Sequence, residues 1–196
     1  MFRLTPLVRN LIIINVVVFL AQNLLSGLYV TEYMSLWPIG SPYFRPYQFF
    51  TYMFAHGSFM HILFNMIALA QFAPILESYW GDKKLLAFYI ATGIGAGVIY
   101  AAINYFFFPG NAGPMLGASG AIYGILMAFG MVFPNLEIMF LFVPMPIKAK
   151  YIVFLIGFIT YALDRSGGVA HAAHFGGAFV AFLIIAYWRS QGRDRS

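Results

Sequence analysis

The chain has 196 residues, 62% of them hydrophobic and 9% charged, with no cysteine and a formal net charge of +5. A mean hydropathy of +0.81 lies far from a soluble domain, where roughly a quarter of residues are charged, and marks an integral membrane protein. The missing cysteines exclude disulfides and thiolate chemistry, and the basic excess has a simpler use than nucleic acid, which is not an expected partner. The mass of 22.0 kDa fits one bundle, so residues 1-196 are expected to form a single membrane domain with no separate soluble domain.

In chain order, Leu11 to Tyr29 forms the first predicted span, too long and too poorly followed by a small-residue cleavage site for a signal peptide. Val30 to Ala55 is a long amphipathic connection whose Trp37, Tyr43 and Tyr47 suit the headgroup level. Ser58 to Leu76 and Leu85 to Phe108 are the second and third spans, with Lys83 and Lys84 between them. The apolar run Ala121 to Phe133 follows Gly117-Ala118-Ser119-Gly120 and rises only about 20 Å as a helix, short of the roughly 30 Å hydrocarbon core. Its start is therefore expected below the membrane surface, with Asn111 to Leu116 dipping inward to deliver Ser119 to a wet, enclosed site. Pro134 to Pro146 is a Pro-flanked apolar connection, of which Ile138 to Val143 is too short to cross. Ala149 to Leu163 is the fifth span, and Val169 to Trp188, after a turn at Asp164 to Gly168, is the sixth.

Six spans place both termini on one side. Arg3, Arg9, Lys83, Lys84, Lys148, Lys150, Arg189, Arg193 and Arg195 fall on that face, against Arg45 and Arg165 on the other. The positive-inside rule makes the termini cytoplasmic and the Ser119 end external. Topology anchoring explains these charges, so none receives a catalytic role.

His56, His61, His171 and His174 all fall at the outer ends of the second and sixth spans. Ionisable side chains within spans are costly and face a bundle interior or a cavity. His174 lies roughly 8 Å down its helix, comparable with a submerged Ser119. Gly176 and Gly177 thin its helix as Gly120 and Gly124 thin the other, allowing close approach. Small-xxx-small spacing alone more often means packing; a serine and a histidine at matched depth point to nucleophile and base. His61 and Asn65, four apart, share a helix face and both offer hydrogen-bond donors. His56 and His171 read as polar residues of a loop or helix end.

These residues resemble the rhomboid family of intramembrane serine proteases over nearly the whole chain. His56-Gly-Ser-Phe-Met-His61-Ile-Leu-Phe-Asn65 is similar to the family's second-span signature, Gly117-Ala118-Ser119-Gly120 to its nucleophile motif, and Ala173-His174-Phe175-Gly176-Gly177 to its sixth-span motif. The resemblance implies an all-α, six-transmembrane-helix rhomboid-like bundle with a submerged short fourth helix. It also implies a catalytic Ser119–His174 dyad, Tyr123 packed on the histidine ring, and cleavage of other proteins' transmembrane segments, admitted between the second and fifth spans near Phe64. The oxyanion set is His61, Asn65 and the backbone at Ser119 and Gly120, with Gly117 and Gly177 in support. Tyr47-Gln48 stands where the family usually has Trp-Arg.

The chemistry expected is acyl transfer without cofactor or metal, in a bacterial cell membrane. A carboxylate is not required, so Asp164, the acid nearest His174 on the outer side, is expected to be dispensable. Two rivals stay open: a catalytically silent member that binds client helices, and a metal or proton transporter using the four histidines.

Overall fold

The computed structural model describes residues 4–108, 113–140, 143–163 and 168–192. The backbone is a helical bundle. Helix α1 (Pro6–Leu24), short α2 (Val30–Met34) and α3 (Gln48–Thr51) lead to α4 (Phe59–Trp80) and α5 (Asp82–Phe107). Then come α6 (Ser119–Val132), a hairpin of β1 (Glu137–Phe140) and β2 (Val143–Lys148), α7 (Ala149–Leu163) and α8 (Gly168–Ser190). Helices α1, α4, α5 and α8 are long and apolar enough to cross a membrane, while α6 and α7 are shorter apolar helices.

Several boundaries move for identifiable reasons. Helix α1 begins five residues before Leu11, with Thr5 as N-cap and Pro6 in its first turn, where a missing N–H costs nothing. Its first-turn donors are met by Glu77 of α4, which accepts from the Thr5 hydroxyl and from the N–H groups of Leu7 (3.3 Å) and Val8 (3.1 Å). Glu77 is buried, and α4 runs past Leu76 to Trp80 through Pro74. Gly81, at φ 83°, is the only residue between α4 and α5, a backbone state that glycine adopts without steric cost. Lys83 and Lys84 thus lie in the first turn of α5 rather than in a connection. The stretch Pro134 to Pro146, expected as an apolar connection, forms with Ile147 and Lys148 an antiparallel hairpin that sets Glu137 opposite Lys148 and Ile138 opposite Ile147. It is the one sheet among the described residues.

The connection after α1 is ordered by the side chain of Gln48, at the position where the resemblance implies an arginine. Gln48 is buried and accepts from the N–H groups of Trp37 (3.3 Å) and Arg45 (3.1 Å) while donating to the carbonyls of Tyr43 (3.0 Å) and Tyr33 (3.4 Å). A neutral amide with both donors and acceptors can serve this loop; a guanidinium, which only donates, cannot meet two N–H groups. Trp37 packs on Tyr43 with ring centroids 4.9 Å apart.

The core gathers around α6, enclosed by α4, α5, α7 and α8. Its glycines decide what approaches. A Cβ on Gly120 would lie 2.6 Å from Ala96 Cβ, and one on Gly124 would lie 2.7 Å from Thr92, so these two, four apart, seat α6 on the matching residues of α5. A Cβ on Gly177 would lie 1.9 Å from the Gly120 carbonyl oxygen, which brings the α8 backbone onto that of α6. Gly176 faces Ile99 of α5 instead. Of the four glycines expected at an α6–α8 contact, Gly177 owes its missing side chain to that contact, made on the Gly120 backbone, while the side-chain positions of Gly120, Gly124 and Gly176 face α5.

Candidate active site

The approach to α6 is irregular backbone, and at membrane depth each of its polar groups needs a partner. Met115 exchanges both backbone hydrogen bonds with Leu36 (2.8 and 2.9 Å), and Gly117 donates to the Tyr52 carbonyl at 2.9 Å. Gly117 has φ 122°, and a Cβ there would lie 2.6 Å from the His61 ring. Conformation and contact both require glycine at this position. The next donor, Ala118 N–H, meets His56 Nε2 at 3.4 Å. The structure therefore hangs the start of α6 from the connection that precedes α4. Asn111 and Ala112, like Asp164 to Gly167, fall outside the described residues; from Gly113 the inward path to Ser119 is continuous.

His56 lies outside the long helices and is buried. Burial, with His61 beside it, lowers its pKa from 6.5 to about 4, so the ring is neutral near pH 7. Its Nδ1 sits 3.3 Å from the Phe54 carbonyl. With Nδ1–H donating there, Nε2 is left as the acceptor that Ala118 needs. Where the sequence suggests only a polar loop residue, the structure has the group that holds the residue before Ser119. The signal available is the five-residue spacing to His61, whose ring meets it edge-on at 5.1 Å.

Ser119 opens α6 and His174 lies two turns into α8. Their side chains meet, with His174 Nε2 2.9 Å from Ser119 Oγ. Tyr123, one turn below Ser119, stacks on the His174 ring at a centroid distance of 4.6 Å and an interplanar angle of 8°. The Tyr123 hydroxyl donates to Thr160 Oγ1 of α7 at 2.9 Å, and Thr160 donates to its own Ile156 carbonyl at 2.8 Å. No motif reveals Thr160. His171 packs on Tyr161 (5.0 Å) and lies 6.3 Å from His174, ring to ring.

Helical geometry leaves the first backbone N–H groups of α6, those of Ser119 and Gly120, without intrahelical acceptors. They point along the helix end at which Ser119 Oγ sits. His61 follows the Ser58 cap, its N–H donating to Ser58 Oγ at 3.1 Å, and its ring covers Gly117. Asn65 is buried, with Nδ2 donating to the His61 carbonyl at 2.8 Å. One of its amide protons is thus committed to its own helix and one remains.

Among the described residues no three His, Asp or Glu side chains gather in a group able to hold a metal ion. The four histidines divide into two edge-to-face pairs, His56 with His61 and His171 with His174.

A family model described as "Rhomboid domain" matches residues 43–191. The chain is 32% identical over 142 residues to Rhomboid protein 1, mitochondrial, of Saccharomyces cerevisiae, covering 68% of this chain and 39% of that protein. It is 31% identical over 145 residues to the Presenilin-associated rhomboid-like protein, mitochondrial, of Homo sapiens, covering 68% and 36%. It is 34% identical over 158 residues to Rhomboid protease AarA of Providencia stuartii, covering 69% and 53%. The chain thus spans between about a third and a half of the length of these relatives.

Proposed function

Because this chain belongs to the rhomboid family, we propose that it is an intramembrane serine endopeptidase that cleaves transmembrane segments of other membrane proteins through a Ser119–His174 dyad. The observation that carries the reading is the 2.9 Å contact between His174 Nε2 and Ser119 Oγ at the start of a short, buried helix.

The resting imidazole accepts the Ser119 hydroxyl proton at Nε2 as Oγ bonds to the substrate carbonyl carbon. The carbonyl electron pair moves onto oxygen, and the oxyanion is met by the N–H groups of Ser119 and Gly120 with side-chain donors from His61 and Asn65. Collapse breaks the C–N bond, and the leaving amine takes the proton from Nε2. Water then repeats the sequence on the ester, giving its proton to Nε2, and Oγ recovers that proton as the acid departs. Tyr123 stacking, fixed by Thr160, orients the ring without a carboxylate. Gly117 and Gly177 act by what they lack, giving His61 and the α6 backbone room to close on the site.

Substrate helices reach the site from the bilayer between α4 and α7, past the exposed Phe64, and unwind locally to present a carbonyl. The proposed topology puts both termini on the cytoplasmic side of a bacterial cell membrane; a mitochondrial membrane is the alternative that two relatives' names raise. The reading is tested by labelling with a fluorophosphonate probe in detergent. Native protein reacts, and Ser119→Ala and His174→Ala do not; equal labelling of the Ser119 variant overturns it.

A further inference from the structure

The β1–β2 hairpin is not used by the chemistry, and its surroundings identify what covers it. Its base is closed by Ala149 N–H donating to Leu136 (2.8 Å) and Lys150 N–H donating to Pro134 (3.3 Å). The bundle end it occupies is the one where Arg189 of α8 donates to the Met131 carbonyl of α6 at 2.5 Å. Lys84 lies over Trp188 there, 4.5 Å from the ring centroid. This is the basic end, opposite Ser119.

Depth follows from helix lengths. Ser119 is level with His174, six residues below the start of α8, or about 9 Å down at 1.5 Å per residue. Helix α6, with 14 residues, adds about 20 Å. The hairpin base then lies about 30 Å below the outer margin, where the hydrocarbon ends. Helix α7 leaves from the same level.

Backbone chemistry places the hairpin on the wet side of that boundary. A two-stranded sheet has two open edges, and unpaired N–H and C=O groups are not tolerated in hydrocarbon. Pro144 and Pro146 lack N–H groups altogether. Yet the surface is not that of a water-borne hairpin. Ile138 and Ile147 pack against the core, while Met139 and Met145 are 69% and 67% exposed. Lys148 and Lys150 are exposed at its base, and Lys150 Nζ sits 5.0 Å from the Tyr151 ring centroid. Tyr151 begins a stripe of exposed aromatics on α7 that continues through Phe154, Phe158 and Tyr161, at the spacing of one helix face. The stripe is a lipid-facing surface, and the hairpin extends it into the headgroup layer.

We propose that the hairpin is an interfacial anchor on anionic phospholipid at the basic side of the membrane. Met139 and Met145 reach the acyl boundary, and Lys148 and Lys150 bind lipid phosphates. The chain contains no cysteine, so Met139→Cys and Met145→Cys each accept a single environment-sensitive fluorophore, with Phe158→Cys as the deep reference. In phosphatidylcholine–phosphatidylglycerol vesicles both hairpin labels should emit to the blue of their value in water. A nitroxide carried near the headgroup should quench them more strongly than one near the chain terminus, the reverse of Phe158→Cys. Water-like emission without quenching, or the deep pattern at both positions, overturns the proposal. Brominated phosphatidylglycerol should also quench more than brominated phosphatidylcholine, and Lys148→Gln with Lys150→Gln should reduce that preference by up to about fivefold per lysine. An unchanged preference overturns the phosphate contacts.

Discussion

Helix α6 is held on different terms by its neighbours in the site. Against α8 and α5 there is no spare room: added Cβ atoms would fall 1.9 Å from Gly120 oxygen at Gly177, 2.6 Å from Ala96 at Gly120 and 2.7 Å from Thr92 at Gly124. Against α7 the backbones are close at the far end of α6, where a Cβ on Gly130 would lie 2.9 Å from the Ala149 carbonyl oxygen, but beside the site the fit is ordinary. A Cβ on Gly157 would lie 3.8 Å from Tyr123, the polar link is the Tyr123–Thr160 bond, and much of α7 is exposed. Close-packed interiors answer small volume changes with strain, so the α6–α8 side fixes the Ser119–His174 geometry. On the α7 side, beside the site, Tyr123 is held by one hydrogen bond and ordinary contact. On the proposed reading, a site that holds two side chains at one distance and admits a helix from lipid uses both kinds of wall.

The largest expected effects break the rigid side at its reacting atoms. Ser119→Ala and His174→Ala should each reduce turnover of a transmembrane substrate to background, a loss on the order of 10⁵–10⁶ for residues that act as a unit. His171→Ala, one helical turn away, should keep substantial activity. If His171→Ala is the more damaged variant, the base has been misassigned. Asn65→Ala comes next: loss of a side-chain oxyanion donor should cost roughly 10²–10³ in turnover, while fluorophosphonate labelling of Ser119 persists. Loss of labelling along with turnover would mean that Asn65 supports the fold and not the oxyanion.

The loop that positions Ser119 can be tested by pH. His56 has its pKa lowered from 6.5 to about 4, so between those values the unfolded chain binds more protons than the native one. Stability is then full above pH 6.5 and declines as pH falls toward 4, by on the order of 3 kcal/mol. Thermal unfolding in detergent across this range should show the decline, and His56→Gln should flatten it; an equal slope in both would place the titrating group elsewhere. Smaller still is the contrast between two glycines. Gly177→Ala should destabilise by about 1–3 kcal/mol through overpacking. Gly157→Ala, in a helix with space for a methyl, should stabilise by about 0.5–1 kcal/mol. Denaturant midpoints of the two variants moving in the same direction would remove the distinction between the walls.

The amino-acid pattern by itself determined a helical membrane bundle, the side on which the cations lie and the serine and histidine to compare. The reason is energetic: long apolar runs have one stable form in lipid, and polar groups inside them stand out because they are costly. Tertiary structure decided which neighbour each feature serves. Gly120, Gly124, Gly176 and Gly177 share one composition, yet Gly120, Gly124 and Gly176 seat their helices on α5 while Gly177 brings the α8 backbone onto that of α6. Glu77 reads as an acid at a span edge and becomes the buried cap of α1, because its partners, Thr5, Leu7 and Val8, are about seventy residues away in the chain. His56 offers only its spacing to His61 and Thr160 offers no signal, since holding Ala118 and Tyr123 depends on contacts between elements that local spacing does not encode. The hairpin is not legible because the run from Leu136 to Ile147 is apolar without a clean period of two, with Ile138 and Ile147 against the core and the equally apolar Met139 and Met145 exposed.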